Sequence, residues 1–185
     1  MRLYLVQHGE ALPETVDRER RLSERGRADV ARMAAFLGAA GVRVARVYES
    51  GKTRAHETAT ILAEKIAPGV PPKAVAGLAP SDPIEQTLSE LAIRDEDVML
   101  VGHLPFMGRL ASMLVSGRDD PPVFEFEPGT VVCLERIEEG LWAAAWMLRP
   151  ELLDEQLSSV LSRSRGRGPR SSGSAPFRRS RAGAD

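Results

Sequence analysis

The sequence predicts an α/β fold: a single three-layer domain whose mostly parallel central sheet is flanked by helices, with an antiparallel edge near the C-terminus. Two observations predict it. Short apolar runs, which are typical of strands buried on both faces, alternate along the chain with segments of helical spacing. Glycine and proline residues separate most of these segments. Strands that alternate with helices are expected to pair in parallel, because each helix provides the crossover.

The individual elements follow from apolar spacing and from their capping and breaking residues. They are a strand over Leu3–Val6, a loop over 10–21, a helix capped by Ser23 and ending at Gly38, a strand over Val44–Tyr48, a helix after Ser50-Gly51 that ends before Pro68, a short strand over Lys73–Ala76, a helix over Pro83–Ile93, a strand over Val98–Val101, a helix from Pro105 through Val115, and strands over Phe124–Phe126, Thr130–Arg136 and Leu141–Leu148. The last strands follow one another without a helix, which predicts the antiparallel edge. We expect Trp142 and Trp146 to lie on one face of the final strand.

The composition changes after about Leu161, where Arg, Ser, Gly and Pro replace the apolar residues. We therefore predict one domain over residues 1–161 and a disordered basic tail over residues 162–185. Residues 163–185 carry seven Arg and one acidic residue, a net charge of +6, while the rest of the chain carries −7. The tail is expected to be a solvated segment, with weak contact to anionic partners as the alternative.

The single cysteine, Cys133, excludes an internal disulfide, and its apolar neighbours predict that it is buried. No apolar run approaches the roughly 18–20 residues of a membrane span. The first residues also lack the pattern of a signal peptide. We therefore expect a cytoplasmic protein with neither a membrane nor a specific nucleic acid as its partner.

Two of the predicted strands end in a histidine next to a glycine, His8-Gly9 and Gly102-His103. The carboxyl ends of parallel strands meet at one edge of a sheet, so two central strands would bring these imidazoles together. The turn Ser50–Arg54 lies between them in the sequence and begins a helix, whose free N–H groups favour an anion. With Arg20 and Arg21 in the first loop, this edge predicts an anion site, most simply for phosphate.

Four segments occur in a fixed order along the chain. They are Val6-Gln7-His8-Gly9-Glu10-Ala11, Arg20-Arg21-Leu22-Ser23-Glu24-Arg25-Gly26, the stretch Ser50 to Ala59 with Arg54-Ala55 and Glu57-Thr58, and Val101-Gly102-His103-Leu104-Pro105. In order and spacing they resemble the histidine phosphatase superfamily, and within it the phosphohistidine phosphatases of the SixA type. The resemblance covers residues 1–148 and implies a phosphoglycerate mutase-like fold. It implies that His8 is the nucleophile, that Arg54 and His103 hold the phosphate, and that Arg20 is a further basic contact.

One position departs from the family pattern, which usually has Arg directly before the nucleophilic histidine, where this chain has Gln7. Glutamine keeps an amide donor for the phosphate but loses the charge and the two-pronged geometry of a guanidinium. We expect Gln7 to contact the phosphate. The alternative is a module that binds phosphate or a phosphoprotein without catalysis.

Neither a cofactor nor a metal is expected, since guanidinium groups can stabilise charge on the equatorial oxygens of a transferring phosphoryl group. The chain has three histidines and no cysteine cluster, which does not match the spacing of metal ligands. The third histidine, His56, is expected on a solvated helix face.

The leaving group decides which substrate the site favours. An alkoxide is strongly basic and needs a general acid, whereas an imidazole whose conjugate acid has a pKa of ~6.5 needs less help. Glu10 is the nearest candidate proton donor, although it is equally well explained as a loop carboxylate. The predicted function is therefore a phosphohistidine phosphatase that acts on a phosphorylated protein, with a small-molecule phosphomonoesterase as the alternative enzyme.

Overall fold

The computed structural model describes residues 1–138 and 140–153. The predicted domain boundary at residue 161 and the basic tail of residues 162–185 lie outside these residues. The elements in chain order are β1 (Arg2–Gln7), α1 (Glu24–Ala39), β2 (Arg46–Glu49), α2 (Thr53–Ile66), β3 (Lys73–Ala74), α3 (Glu85–Ala92), β4 (Val98–Gly102), α4 (Phe106–Ser116), β5 (Val131–Glu138), β6 (Leu141–Leu148) and a 3₁₀ turn at Pro150–Leu153.

The six strands form one sheet in the order β3-β2-β4-β1-β5-β6. Strands β1 to β4 pair in parallel, while β5 pairs antiparallel with β1 and β6 pairs antiparallel with β5. The predicted fold class is therefore confirmed, including the antiparallel edge. Gln7 is paired with Gly102 at the carboxyl ends of the adjacent strands β1 and β4. As a result, His8 and His103 leave the sheet at the same edge.

Two apolar layers cover the two faces of the sheet. Tyr4 and Val6 of β1 face the layer formed with α1 and α2, whereas Leu3 and Leu5 face the layer formed with α3 and α4. This alternation follows from the two-residue period of a strand. All four side chains are buried, as are those of β4, so the two strands that end at the histidines are held from both sides.

Two details of the predicted C-terminal part are wrong. Residues 124–126 do not form a strand. Trp142 and Trp146 lie in opposite apolar layers, because the pairing of β6 with β5 shifts between Cys133 and Leu134. One extra residue in a strand at this bulge reverses the side on which the following side chains lie.

The expected burial of Cys133 and the expected cap of α1 are both found. The Cys133 side chain is fully buried. Ser23 caps α1, since its side chain accepts a hydrogen bond from the Gly26 N–H at 2.9 Å. Within residues 1–138 and 140–153, no helix has both the length and the apolar character needed to cross a membrane.

Candidate active site

The two histidine rings lie next to each other at the carboxyl edge of the sheet. The centroids of the His8 and His103 rings are 4.8 Å apart, and their planes are inclined by 58°. The backbone joins the two strand ends as well, because the His8 N–H donates to the Gly102 carbonyl at 3.0 Å. Histidines that are 95 positions apart in the chain therefore share one site.

Both ring nitrogens of His8 have partners, and these partners fix its tautomer. Nδ1 lies 2.7 Å from the carbonyl oxygen of Gly9, which can only accept, so Nδ1 carries the proton. The Nε–H of Arg54 donates to Nε2 at 3.0 Å. The lone pair of the neutral ring is therefore on Nε2 and faces the guanidinium.

The environment of His8 keeps its ring neutral. Burial lowers the pKa of His8 to about 4, the hydrogen bond to Gly9 opposes this shift, and the positive charges of Arg54 and Arg20 add to it. A neutral imidazole is the form that can act as a nucleophile. At neutral pH, His8 is thus held in its reactive protonation state.

His103 is buried more deeply, with 2% of its surface exposed. Its Nε2 lies 2.6 Å from the hydroxyl of Ser50, whereas its Nδ1 is buried without a hydrogen-bond partner in the described part of the chain. Burial lowers the pKa of His103 to about 3, with smaller contributions from His8 and Arg54. A buried nitrogen without a partner is costly.

Arg54 is placed by the first turn of α2 and by one buried hydroxyl. The side chain of Thr58 donates to the Arg54 carbonyl at 2.7 Å and accepts from the Gly9 N–H at 3.0 Å. This hydroxyl therefore connects the loop after β1 to the helix that carries the guanidinium. Gly9 itself has no room for a side chain, since a Cβ there would lie 2.7 Å from Val30.

The first loop brings Arg20 to the site and leaves Arg21 outside it. Arg20 has a positive φ of 50° and its Nε–H donates to the Leu12 carbonyl at 3.4 Å. Its positive charge contributes to the lowered pKa of His8, His103 and Arg54, in which burial is the largest cause. Arg21 is exposed and pairs with Asp17 at 3.0 Å.

Gln7 precedes His8 and is partly buried. Its backbone is fixed on both sides, because its N–H donates to Thr130 at 3.2 Å and its carbonyl accepts from Gly129 at 3.0 Å. The side-chain oxygen Oε1 is buried and has no hydrogen-bond partner among residues 1–138 and 140–153. This oxygen can only accept a hydrogen bond, so the donor that Gln7 has for a phosphate oxygen is its amide NH₂ group.

Glu10 is not hydrogen-bonded to either histidine. Its exposed carboxylate accepts from the Ser23 hydroxyl at 2.6 Å, next to the beginning of α1. The backbone also ties the two segments together, since a Cβ on Gly26 would lie 2.1 Å from the Glu10 carbonyl oxygen. Glu10 contributes to the start of the helix, and its role as a proton donor stays a prediction.

Glu49 is a residue of this site that the sequence analysis did not identify. It is 1% exposed at the end of β2, and its Oε2 accepts from the Gly51 N–H at 2.6 Å. Its Oε1 lies 3.2 Å from Nδ1 of His56, whose side chain is 57% exposed as expected. The sequence feature that could have identified Glu49 is its position, since it directly follows the predicted strand and directly precedes the turn at Ser50.

The described residues contain no group of three or more His, Cys, Asp or Glu side chains that could hold a metal ion. The site instead combines two neutral imidazoles with the guanidiniums of Arg54 and Arg20. Positive charge next to unpaired buried nitrogen is suited to an anion with several oxygens.

Part of the chain matches a known family of proteins. Residues 3–82 match the model of the histidine phosphatase superfamily, branch 1, which confirms the superfamily resemblance of the sequence. The matched residues include His8, Arg20 and Arg54, whereas His103 lies beyond them. No curated protein sequence matches the chain.

Solved structures share the fold at low sequence identity. SixA, a protein histidine phosphatase complexed with tungstate, has a TM-score of 0.71 and 22% identity, covering 83% of this chain and 100% of SixA. A mycobacterial glucosyl-3-phosphoglycerate phosphatase has a TM-score of 0.61 and 18% identity, covering 78% and 97%. A phosphoserine phosphatase mutant from Entamoeba histolytica, complexed with phosphoserine, has a TM-score of 0.60 and 13% identity, covering 79% and 95%. At these identities the likeness concerns the fold.

Proposed function

We propose that this chain, given its match to the histidine phosphatase superfamily, is a metal-independent phosphatase that acts on protein phosphohistidine. Nε2 of His8 attacks phosphorus, and the bond between phosphorus and the substrate imidazole breaks. The substrate imidazole leaves with the electron pair of that bond and takes up a proton. Water then attacks the phosphorus on His8, which releases inorganic phosphate and a proton and restores the free histidine.

The observation that carries this proposal is the hydrogen bonding of His8. The Gly9 carbonyl holds the proton on Nδ1, and Arg54 points its Nε–H at the lone pair on Nε2. For attack, Arg54 releases this hydrogen bond and the lone pair of Nε2 turns to phosphorus. The guanidinium then lies beside the phosphoryl oxygens, where its charge stabilises the transition state.

The other residues have roles on the phosphoryl oxygens. Arg54 and Arg20 supply positive charge, and His103 supplies a ring N–H. Gln7 offers its amide group in place of a guanidinium. Together these groups stabilise the charge that is spread over the equatorial oxygens during transfer.

The surroundings of the two rings favour phosphohistidine as the substrate. No carboxylate is hydrogen-bonded to His8, Arg54 or His103 in the described residues. A phosphate ester would release a strongly basic alkoxide, which needs an acid, while an imidazole leaving group needs less assistance. If Glu10 supplies a proton, it has to leave the Ser23 hydroxyl first.

Two other functions have specific support. The similar structures include phosphatases named for small molecules, which favours a small-molecule phosphomonoesterase as the second candidate. The uncharged Gln7 supports a module that binds phosphate or a phosphoprotein without turnover.

We place the activity in the cytoplasm, since the chain has a single cysteine and no internal disulfide.

Trapping the intermediate tests the proposal. The full chain is mixed with a protein that carries ³²P-phosphohistidine and is quenched in alkali, in which phosphohistidine survives. We expect label on His8 and release of phosphate, no label on the His8→Ala variant, and retained label on the His56→Ala control. Binding without label or release would establish the non-catalytic module. A higher kcat/KM for phosphoserine than for the phosphohistidine protein would establish the esterase.

A further inference from the structure

A groove of about 400 Å³ begins directly beside His103. Its walls include Leu104 and Pro105, the two residues that follow this histidine, and Phe124 and Phe126 from the segment before β5. Leu104 is 39% exposed, whereas Phe126 is buried. The groove is therefore an apolar depression open to solvent, with a size suited to one large side chain or two smaller ones.

The groove is joined to the site through the backbone at both of its walls. On one side, Leu104 is bonded to His103. On the other side, Phe126 leads into the turn whose Gly129 N–H donates to the carbonyls of Gln7 and His8, at 3.0 and 3.2 Å. Both walls of the groove are thus continuous in the chain with residues of the site.

A glycine in α4 keeps the groove open. Gly108 is buried, lines the groove and sits in the first turns of the helix, where glycine is less favourable than other residues. A Cβ at this position would meet only the side chain of Leu104, at an ordinary contact distance of 3.6 Å. Side chains at position 108 would therefore fit the helix and project into the space of the groove.

The rim of the groove carries an excess of negative charge. Arg109 and Asp119 pair with each other at 2.8 Å, so their charges offset one another. Glu125 is exposed and lies 3.5 Å from Arg149, and Asp120 is exposed at the same rim. Among the charged side chains that line the groove, this leaves Asp120 without an ion pair within the described residues. A basic group is the complement to this arrangement.

We propose that this groove binds an apolar side chain of the phosphorylated protein, with a neighbouring lysine or arginine of that protein at the Asp120 rim. The proposal rests on the proposed function, and it names the sequence around the phosphohistidine that the enzyme prefers. A sugar phosphate would need hydrogen-bonding groups along its path, whereas Leu104, Pro105, Phe124 and Phe126 offer mainly apolar surface.

A larger side chain at position 108, which would fill the groove, tests the proposal. Gly108→Leu places a side chain in the space, and Gly108→Ala is the matched control that adds only a Cβ.

The substrates are phosphoramidate, which is too small to reach the groove, and phosphohistidine peptides. One peptide set carries a Leu-Lys pair at successive positions beside the phosphohistidine, and the other carries Ser-Ser. We expect Gly108→Leu to raise KM for the best Leu-Lys peptide about tenfold. Its kcat/KM for phosphoramidate should stay within about twofold of the wild type.

Several outcomes would overturn the proposal. One is an equal loss on phosphoramidate and on the peptides, and another is a wild-type enzyme that does not distinguish the Leu-Lys from the Ser-Ser peptides. If Gly108→Leu does not fold, Asp120→Lys replaces it, and we expect that variant to raise KM about threefold for the Leu-Lys peptide only. The same KM for that peptide in Asp120→Lys and wild type would contradict the proposal.

The groove and the phosphatase activity can fail separately. If the wild-type chain hydrolyses no phosphohistidine substrate, the proposed function is wrong. Calorimetric binding of the unphosphorylated Leu-Lys peptide then tests the groove alone. Binding that Gly108→Leu removes and Gly108→Ala keeps would support it, and equal affinity in the three proteins would refute it.

Discussion

The ends of β1 and β4 are alike in sequence and different in surroundings. Each places a histidine beside a glycine, and each histidine has a strongly lowered pKa. Yet both ring nitrogens of His8 are hydrogen-bonded, while His103 has one bonded nitrogen and one buried nitrogen without a partner in the described residues. In the proposed function, the first ring attacks phosphorus and the second binds a phosphoryl oxygen. Similar motifs at one sheet edge therefore support different tasks.

The largest expected effect on turnover comes from removing the imidazole of His8, at the end of β1. His8→Ala should lower phosphohistidine turnover by more than about 10⁴-fold, because the covalent route needs this nitrogen. Release of phosphate from a phosphohistidine protein measures it, with circular dichroism as the check on folding. Turnover close to the wild-type rate would exclude the proposed chemistry.

Loss of His103, at the end of β4, should matter less. In the proposed mechanism this histidine contacts a phosphoryl oxygen and forms no bond to phosphorus. His103→Ala is expected to lower kcat by about 10²- to 10³-fold, the usual loss for one donor to a developing charge. Label should still appear on His8, although slowly. If His103→Ala removed label as completely as His8→Ala, the two rings would not have separate tasks.

Glu49 acts on His103 through the turn at Ser50 and Gly51, which its carboxylate holds in place. Glu49→Gln keeps the size of the side chain but provides one oxygen where the carboxylate serves both Gly51 and His56. We expect kcat to fall about tenfold as Ser50 shifts relative to His103, with KM changed less. Glu64→Gln, at an exposed position of α2, the helix that carries His56, is the control. Identical kinetics in the two variants would show that Glu49 does not position the site.

Position 7, directly before His8, is where phosphate binding can be increased. Gln7→Arg supplies charge and two parallel donors, so turnover should be held or raised, by up to about fivefold. Steady-state kinetics with phosphoramidate measure the change, and tighter inhibition by inorganic phosphate should accompany it. A clear loss of activity would mean that the amide oxygen of Gln7 has a role that a guanidinium cannot take.

The smallest effect is expected on acidification. Because burial and nearby cations lower the pKa of His8 to about 4, its neutral form still dominates at pH 5. The kcat/KM, corrected for titration of the substrate, should change by less than about twofold between pH 7 and pH 5 and fall below that. A histidine of ordinary pKa would lose about 25-fold over this range. A midpoint near 6.5 would contradict the described environment of His8.

The sequence was sufficient for the frame of the site and insufficient for its details. Parallel order and buried strands bring His8 and His103 to one edge whatever the side chains around them are, so this meeting was predictable. Glu49 was not, because its burial depends on how the turn at Gly51 folds back on it. The faces of Trp142 and Trp146 depend on a bulge in β6, and a regular two-residue period does not reveal a bulge.

The Thr58 hydroxyl, shared between the Gly9 N–H and the Arg54 carbonyl, sets the spacing of nucleophile and guanidinium through one oxygen atom. The fold itself thus holds the loop that carries His8 beside the helix that carries Arg54. An oxyanion such as vanadate would meet the same shape that a substrate meets, which makes rigid mimics of the transferring group the natural starting point for inhibitors.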